Sequence, residues 1–563
     1  MKKLLVILFV LSFFMPAKAQ ILIKKNQDYT RADTLRGSLR PERTDFDVLK
    51  YELTLSVEPQ KRFISGVNEI SFKVLEELPR MQIDLFANMN VDSILYQGKK
   101  MKYEREFDAV FISFEEALEK NSQEKISFYY SGNPIVAQQP PWDGGFVFTK
   151  DQDGNPWVAT AVQGIGASLW YPNKDHQSDE PDNGVLLHIA VPNGLMNVSN
   201  GRLVGKKGLN NGFTQWSWQT KNPINNYNVS LNIGNYTHFS EKYQDLDLNY
   251  YVLPYNLEKA QKQFQEVKPM MDCFYAHFGS YPFVEDGFKL VETPYLGMEH
   301  QSAVAYGNQY VNGYLGQDIS GTGIGLKFDF IIIHESAHEW FGNSITVSDI
   351  ADMWVHEGFT TYAEAVYVEC RWGKEAALEY LFGLRKIIQN NTPIIGDYGV
   401  NDEGSGDMYA KGANLINTIR SVINDDEKWW KILKDFSLEF KYSTTNTKEV
   451  IAFFEKESGM ELEAIFNQYL RYTHIPVLEM KLENGKLWCR WDVDVPKFNM
   501  PIDLIVEDEQ IRIYPETEWR PLKKKFYKTV ASSHKNQNET YVFDIDLKRF
   551  YVKAKFYGKE KTD

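Results

Sequence analysis

The hydrophobic period changes twice along these 563 residues, and that change limits the fold more than any other feature. From about residue 43 to 251 apolar and polar residues alternate, as in Tyr51, Leu53, Leu55 and Val57, then Ile70, Phe72 and Val74, and later Val229, Leu231 and Ile233. A period of two is that of strands with one face buried. Ala260, Phe264, Val267, Met271, Phe274 and Phe278 then recur at steps of four and three, which is one apolar stripe on a helix. Helical patterns continue to about residue 472. After Pro476 alternation returns, with Met480 and Leu482 facing Leu487, Cys489, Trp491 and Val493 across Asn484-Gly485, a two-residue hairpin signal. The expectation is an α+β multidomain chain. An antiparallel β domain should occupy 20–245, a mostly α domain 246–475, and a small β-sandwich-like domain 476–563. Length alone suggests three or four domains; the periodicity selects three, and no repeat of solenoid length appears.

Residues 1–19 stand apart from this pattern. Lys2 and Lys3 precede an apolar run from Leu4 to Met15 interrupted only by Ser12, and Ala17-Lys18-Ala19 gives a small-residue cleavage pattern. This reads as a secretory signal peptide. Twelve apolar residues span about 18 Å of helix, short of the roughly 30 Å hydrocarbon core, so a membrane anchor is not expected. Position 20 is Gln rather than Cys, which does not indicate a lipid anchor. The processed chain is expected to be exported, periplasmic or secreted, with no membrane span.

Composition removes several function classes. Lys and Arg number 62 against 76 Asp and Glu, a formal charge of −14, and basic residues form no cluster with aromatics, so no nucleic-acid partner is expected. The three cysteines, Cys273, Cys370 and Cys489, are widely spaced, which excludes a disulfide scaffold and a Cys-x-x-Cys metal knuckle. A metal would have to sit on histidine and carboxylate.

The helical middle supplies such a set. Ile331 to Gly342 contains His334-Glu335-Ser336-Ala337-His338, an H-E-x-x-H motif in an apolar segment, with Gly342 as the expected helix stop. On a helix the two histidines lie roughly 5–6 Å apart at Cβ, close enough for both rings to reach one tetrahedral Zn²⁺. Glu335 then lies beside the metal and suits a general base that takes a proton from zinc-bound water and returns it to the leaving amine. With only 10 histidines in the chain, the motif arises by chance on the order of once in a hundred such sequences. A catalytic zinc needs a third protein ligand. Asp352 is expected near the N-cap of a second helix that carries both His356 and Glu357, and either could ligate. Glu364, two turns after Glu357, could support a ligand histidine.

H-E-x-x-H, eighteen residues, then Glu357 in a Trp354-x-x-Glu-Gly-Phe context resembles the gluzincin zinc aminopeptidases, the family of aminopeptidase N and the bifunctional leukotriene hydrolase aminopeptidase. The resemblance selects Glu357 over His356 and implies one Zn²⁺ per chain on His334, His338 and Glu357 in a thermolysin-like catalytic domain. Gly297-Met298-Glu299-His300 resembles the family's exopeptidase motif, which implies that Glu299 binds the substrate's free α-amine. Tyr409-Ala410-Lys411-Gly412 resembles the segment whose tyrosine donates to the oxyanion, here Tyr409. Gln163, nine residues before Pro172, is similar to the family's N-domain glutamine that helps hold the amine.

Three positions depart from the family pattern: His300 replaces an Asn, Glu339 stands where Gln is common, and Tyr171-Pro172-Asn173-Lys174 replaces a Phe-Pro-Cys form. None removes a catalytic group, but His300 bears on the geometry of the amine pocket. The function expected is a zinc metallo-aminopeptidase acting on peptides with a free N-terminal amine. The alternatives are a thermolysin-like endopeptidase, which has no use for Glu299, and a silent zinc-containing peptide-binding protein, against which Glu335 and Tyr409 argue.

Overall fold

The computed structural model describes residues 28–483, 486–506, 509–522 and 544–557. The leader expected at 1–19 lies outside these residues. The first β region is built from three sheets. Its largest has eight strands, with Phe46–Glu58 at the middle, antiparallel to Phe63–Val74 on one side and parallel to Val185–Pro192 on the other. Tyr51, Leu53, Leu55 and Val57 all face inward, as the alternation requires. Val229 is buried too, but it follows a 3-10 turn over Asn226–Asn228, and the strand begins only at Leu231.

Strand Thr237–Tyr243 pairs with Leu246–Val252, and both belong to a five-stranded mixed sheet completed by Phe288–Glu292, Val304–Tyr306 and Gly297–Met298. The division expected at 245/246 therefore falls in the turn of one hairpin. The apolar stripe that begins at Ala260 covers this sheet as helix Leu257–Gln263, a 3-10 turn and helix Val267–Phe278, and all six stripe residues are buried. The C-terminal hairpin pairs Val477–Glu483 with Lys486–Asp492 in the expected register, Met480 opposite Cys489. Its buried residues share one continuous core with the helical region.

Cys273 and Cys370, 97 residues apart, form one disulfide, a single bridge rather than a scaffold, while Cys489 is free and buried. The bridge joins helix Val267–Phe278 to helix Trp354–Trp372. No helix of the described residues is long and apolar enough to cross a membrane.

Candidate active site

The helix Phe330–Ala337 carries the motif. Asp329 caps it, its carboxylate accepting the Ile331 and Ile332 N–H groups at 3.1 and 3.3 Å. The same carboxylate accepts from Tyr306, Gln263 and Asn308, which fixes the helix start to the neighbouring sheet and loop. Ile331, Ile332 and Ile333 are buried, so the helix is held by core packing as well as by its cap. It ends earlier than the sequence suggested. His338 is itself the C-cap, still with right-handed φ and ψ, and Gly342 lies four residues beyond at φ 129°. Gly342 is needed there because a Cβ would come 3.0 Å from His338 Nδ1.

Helix Trp354–Trp372 brings in Glu357. Asp352 does not cap it: the acidic cap is Asp349, which accepts the Ala351 N–H of a preceding 3-10 turn. Asp352 instead accepts from Tyr398 at 2.7 Å and from the Thr447 N–H at 3.2 Å. Gly358 crosses Gly412 of helix Ala410–Ile423 so closely that a Cβ on Gly412 would lie 3.0 Å from Gly358 Cα. This contact explains the glycine after Glu357 and the glycine after Lys411, and it sets Tyr409, at the N-terminus of its helix, beside the ligands. The Tyr409 ring stacks on His334 with centroids 6.1 Å apart. Lys411 is buried and donates to the Tyr472 carbonyl at 2.9 Å, a structural role; burial lowers its pKa to about 8.

Both histidine rings are oriented by their Nδ1 atoms. His334 Nδ1 lies 2.6 Å from Glu364 Oε1, whose other oxygen accepts from Tyr380 at 2.6 Å. His338 Nδ1 lies 2.9 Å from the Phe341 carbonyl. Carboxylate and carbonyl oxygens only accept, so each Nδ1 carries a proton and each ring presents Nε2 to the centre. There His334 Nε2 and His338 Nε2 stand 3.6 and 3.3 Å from Glu357 Oε2, a buried oxygen with no hydrogen-bond partner of good geometry. Ligand atoms of the three residues lie within 4.8 Å of one another. Burial alone would raise the Glu357 pKa, yet the charges of His338 and His334 outweigh it and hold the group ionised. His334 is raised despite its burial, because Glu357 and Glu364 favour its charged form. Converging nitrogens and an orphaned carboxylate oxygen, all buried, match a His2Glu site for one Zn²⁺. His356 is not part of it: its Nε2 accepts the Val347 N–H at 2.9 Å, and burial lowers its pKa to about 3.

Glu335 lies beside this triad. Burial pushes its pKa up to about 7, with the Glu299 charge adding to the shift. It packs against strand Gly297–Met298, where a Cβ on Gly297 would stand 2.8 Å from Glu335 Oε1. Glycine at 297 therefore makes room for Glu335. Met298 turns to the other side and joins the core of the N-terminal β domain.

Glu299 is buried and its pKa is raised, first by desolvation. Gln163, from the N-terminal β domain, donates through Nε2 to Glu299 Oε1 at 2.5 Å and approaches Glu357 Oε1 at 3.5 Å. Two contacts sew this seam: Asn228 donates to Asn343 Oδ1 at 2.8 Å, and the Gly201 N–H donates to Ser302 Oγ at 2.8 Å. Asn343 in turn donates to the Glu299 carbonyl at 2.8 Å. His300 is fully buried with both ring nitrogens unpartnered, and burial lowers its pKa to about 3, so it is a neutral packing residue behind Glu299. Glu339 accepts the Ser302 N–H at 2.7 Å, and burial pushes its pKa up to about 8.

Eight of the nine sequence-selected residues thus meet at one place, and Met298 instead packs into the neighbouring core. Sequence reasoning missed Asp329, Asn343 and Asn228. An Asp directly before an apolar helical run is a readable cap signal; the asparagines offer none, since they act only through contacts distant in sequence.

Residues 255–469 match the peptidase family M1 domain. Probable aminopeptidase 2 of Sulfurisphaera tokodaii is 20% identical over 494 residues, covering 83% of this chain and 60% of that protein. Aminopeptidase N of Streptomyces lividans is 24% identical over 289 residues, 48% of this chain and 33% of that protein. The chain spans 60, 55 and 54% of the length of three such relatives. Among solved structures, the M1 zinc metallopeptidase of Deinococcus radiodurans, in a variant bound to a Tyr-Ser-Ala substrate, superposes with a TM-score of 0.63 at 18% identity, covering 77% of this chain and 96% of that one. At that identity the likeness speaks for the fold. Every sequence-selected site residue except Gln163 falls within residues 255–469, the segment that matches the peptidase family M1 domain.

Proposed function

We propose that the chain is an exported zinc aminopeptidase that removes the first residue of peptides carrying a free α-amine. His334, His338 and Glu357 would hold the metal. Zinc bound there supplies Lewis acidity that polarises a scissile carbonyl and acidifies water. Glu335, shielded from solvent and inclined to carry a proton, accepts one from water and passes it to the departing amine. Tyr409 is half-buried, and desolvation together with the surrounding carboxylates raises its pKa and keeps its hydroxyl protonated, so it can donate to a developing oxyanion.

The observation that carries the reading is the Gln163–Glu299 pair beside the metal ligands. Glu299 offers a buried carboxylate to an ammonium group, and Gln163 fixes its orientation. A blocked or internal peptide brings no cation and leaves that carboxylate unpaired, a penalty of several kcal/mol. This favours exopeptidase over endopeptidase action. The backbone of strand Gly297–Met298 would guide the peptide.

Export is supported by the leader pattern and by the Cys273–Cys370 bridge, which suits an oxidising compartment. The test of the activity is a panel of aminoacyl chromogenic substrates with acetylated counterparts, run with and without a zinc chelator. Free substrates should be cut, with activity lost on chelation and restored by zinc. Equal cleavage of acetylated substrates would overturn the assignment.

A further inference from the structure

The loop that runs from residue 394 to 405 is rigid by construction and touches the amine pocket. Asp402 accepts the Asp397 and Gly404 N–H groups at 3.1 and 3.0 Å, and Tyr29, from the N-terminal lead, donates to both aspartates at 2.6 and 2.7 Å. Asn401 donates to the Gly164 carbonyl at 3.2 Å, and Arg36 donates to the same oxygen at 2.8 Å. The loop is thereby fixed to the residue that follows Gln163. It delivers Glu403 there: its Oε2 lies 3.4 Å from where a Cβ on Gly164 would stand.

Glu403 is only partly exposed. The charges that reach it, Glu357 and Asp402, are both negative. Among the described residues none forms an ion pair or hydrogen bond with it, although it is close enough to Tyr409 to act on that hydroxyl. A half-buried carboxylate that makes no ion pair and is acted on by two negative charges is costly to hold in a fold, and such groups are retained where a cation arrives from outside. Two cations already have partners: the metal has Glu357, and the α-amine has Glu299 with Gln163. A third positive charge within reach of an extended peptide, at roughly 3.3 Å per residue, is a side chain of one of its first two residues.

We infer that Glu403 is the anionic wall of a subsite that receives a Lys or Arg side chain from the first or second residue of the substrate. The inference rests on the aminopeptidase reading for the placement of the peptide, and its test is chosen to separate the two. Full-length, zinc-loaded protein carrying Glu335→Gln binds without turnover. Calorimetry on this background compares Lys-Ala-Ala with norleucine-Ala-Ala, and Ala-Lys-Ala with Ala-norleucine-Ala. In one pair the lysine peptide should bind about tenfold or more tightly than its neutral isostere, and that pair identifies the position. Adding Glu403→Gln should bring this ratio near one, and Glu403→Asp should give an intermediate value. The inference is overturned if neither pair discriminates, if neither lysine peptide binds, or if the ratio survives Glu403→Gln. The discrimination in the parent background decides the matter even where a Glu403 variant does not fold. N-acetylation of the same peptides reports on the amine site instead: unaltered affinity would sink the aminopeptidase reading, with lysine selectivity still measured.

Discussion

His334 and His338 commit their Nδ1 protons to acceptors of different kinds, and this fixes how each responds to change. His338 uses the Phe341 carbonyl, which no single substitution removes. His334 uses Glu364, a side chain seven residues beyond the third ligand and itself bonded to Tyr380. Replacing Glu364 by Gln keeps an acceptor of similar shape but removes the charge that supports the ring. Zinc affinity should fall about 10- to 100-fold, measured by titration against a competing chelator; an unchanged affinity would mean that Glu364 does not tune the ligand. At this scale much of the site was legible. The two histidines and two of the three acidic partners follow from spacing on a helix, because i and i+4 share a face. Choosing Glu357 over His356 needed more than spacing, since adjacent residues on a helix start offer equal reach. The structure separates them by a single backbone N–H: Val347 occupies His356 Nε2.

Among elements, the helix Trp354–Trp372 bears the greatest load. It carries Glu357 and Glu364, crosses the Tyr409 helix at Gly358, and is bridged to helix Val267–Phe278 by the disulfide. Closing a loop of 97 residues restricts the unfolded chain strongly, and a native disulfide of this kind contributes on the order of 2–4 kcal/mol. The paired variant Cys273→Ser, Cys370→Ser should therefore melt several degrees lower than the parent, with zinc still bound below the transition. A melting temperature equal to the parent's would show that the bridge does not stabilise the fold. Helix existence was legible from the apolar stripe, whereas helix ends were not. Asp352 looked like a cap because it precedes Trp354, yet its carboxylate is drawn away by Thr447, almost a hundred residues later. The mixed sheet of the catalytic region was also unread. Phe288–Glu292 is buried at every position, so it lacks the alternation that identifies a strand with one wet face.

At the scale of the whole molecule, the proposed amine pocket is composite. Gln163 comes from the N-terminal β domain and Glu299 from the helical region, with Asn228 and Asn343 bonded across the junction. Asn228→Ala removes the donor that meets Asn343 Oδ1 and leaves that buried acceptor unpaired, a cost of about 1–3 kcal/mol. Because Asn343 also holds the Glu299 backbone, KM for free-amine substrates should rise, roughly several-fold, with kcat and zinc content changed far less. An equal fall in kcat would place the defect in the chemistry instead. The three-part order of β, helical and β regions was legible, since a change of period is a local property. The junction was not, because asparagine carries no periodic signal and its partners are fixed only when the domains meet.

The same junction separates two properties that a peptidase usually presents together. The proposed zinc ligands and Glu335 all come from one region, so on the proposed function the power to break an amide would reside there. Recognition of a chain end, by contrast, would be distributed across the boundary, with one reader on each bank. Drift of the β domain by a fraction of an ångström would leave the hydrolytic machinery intact and blur its reading of termini. In this architecture, telling an end from a middle is a property of how well two domains fit.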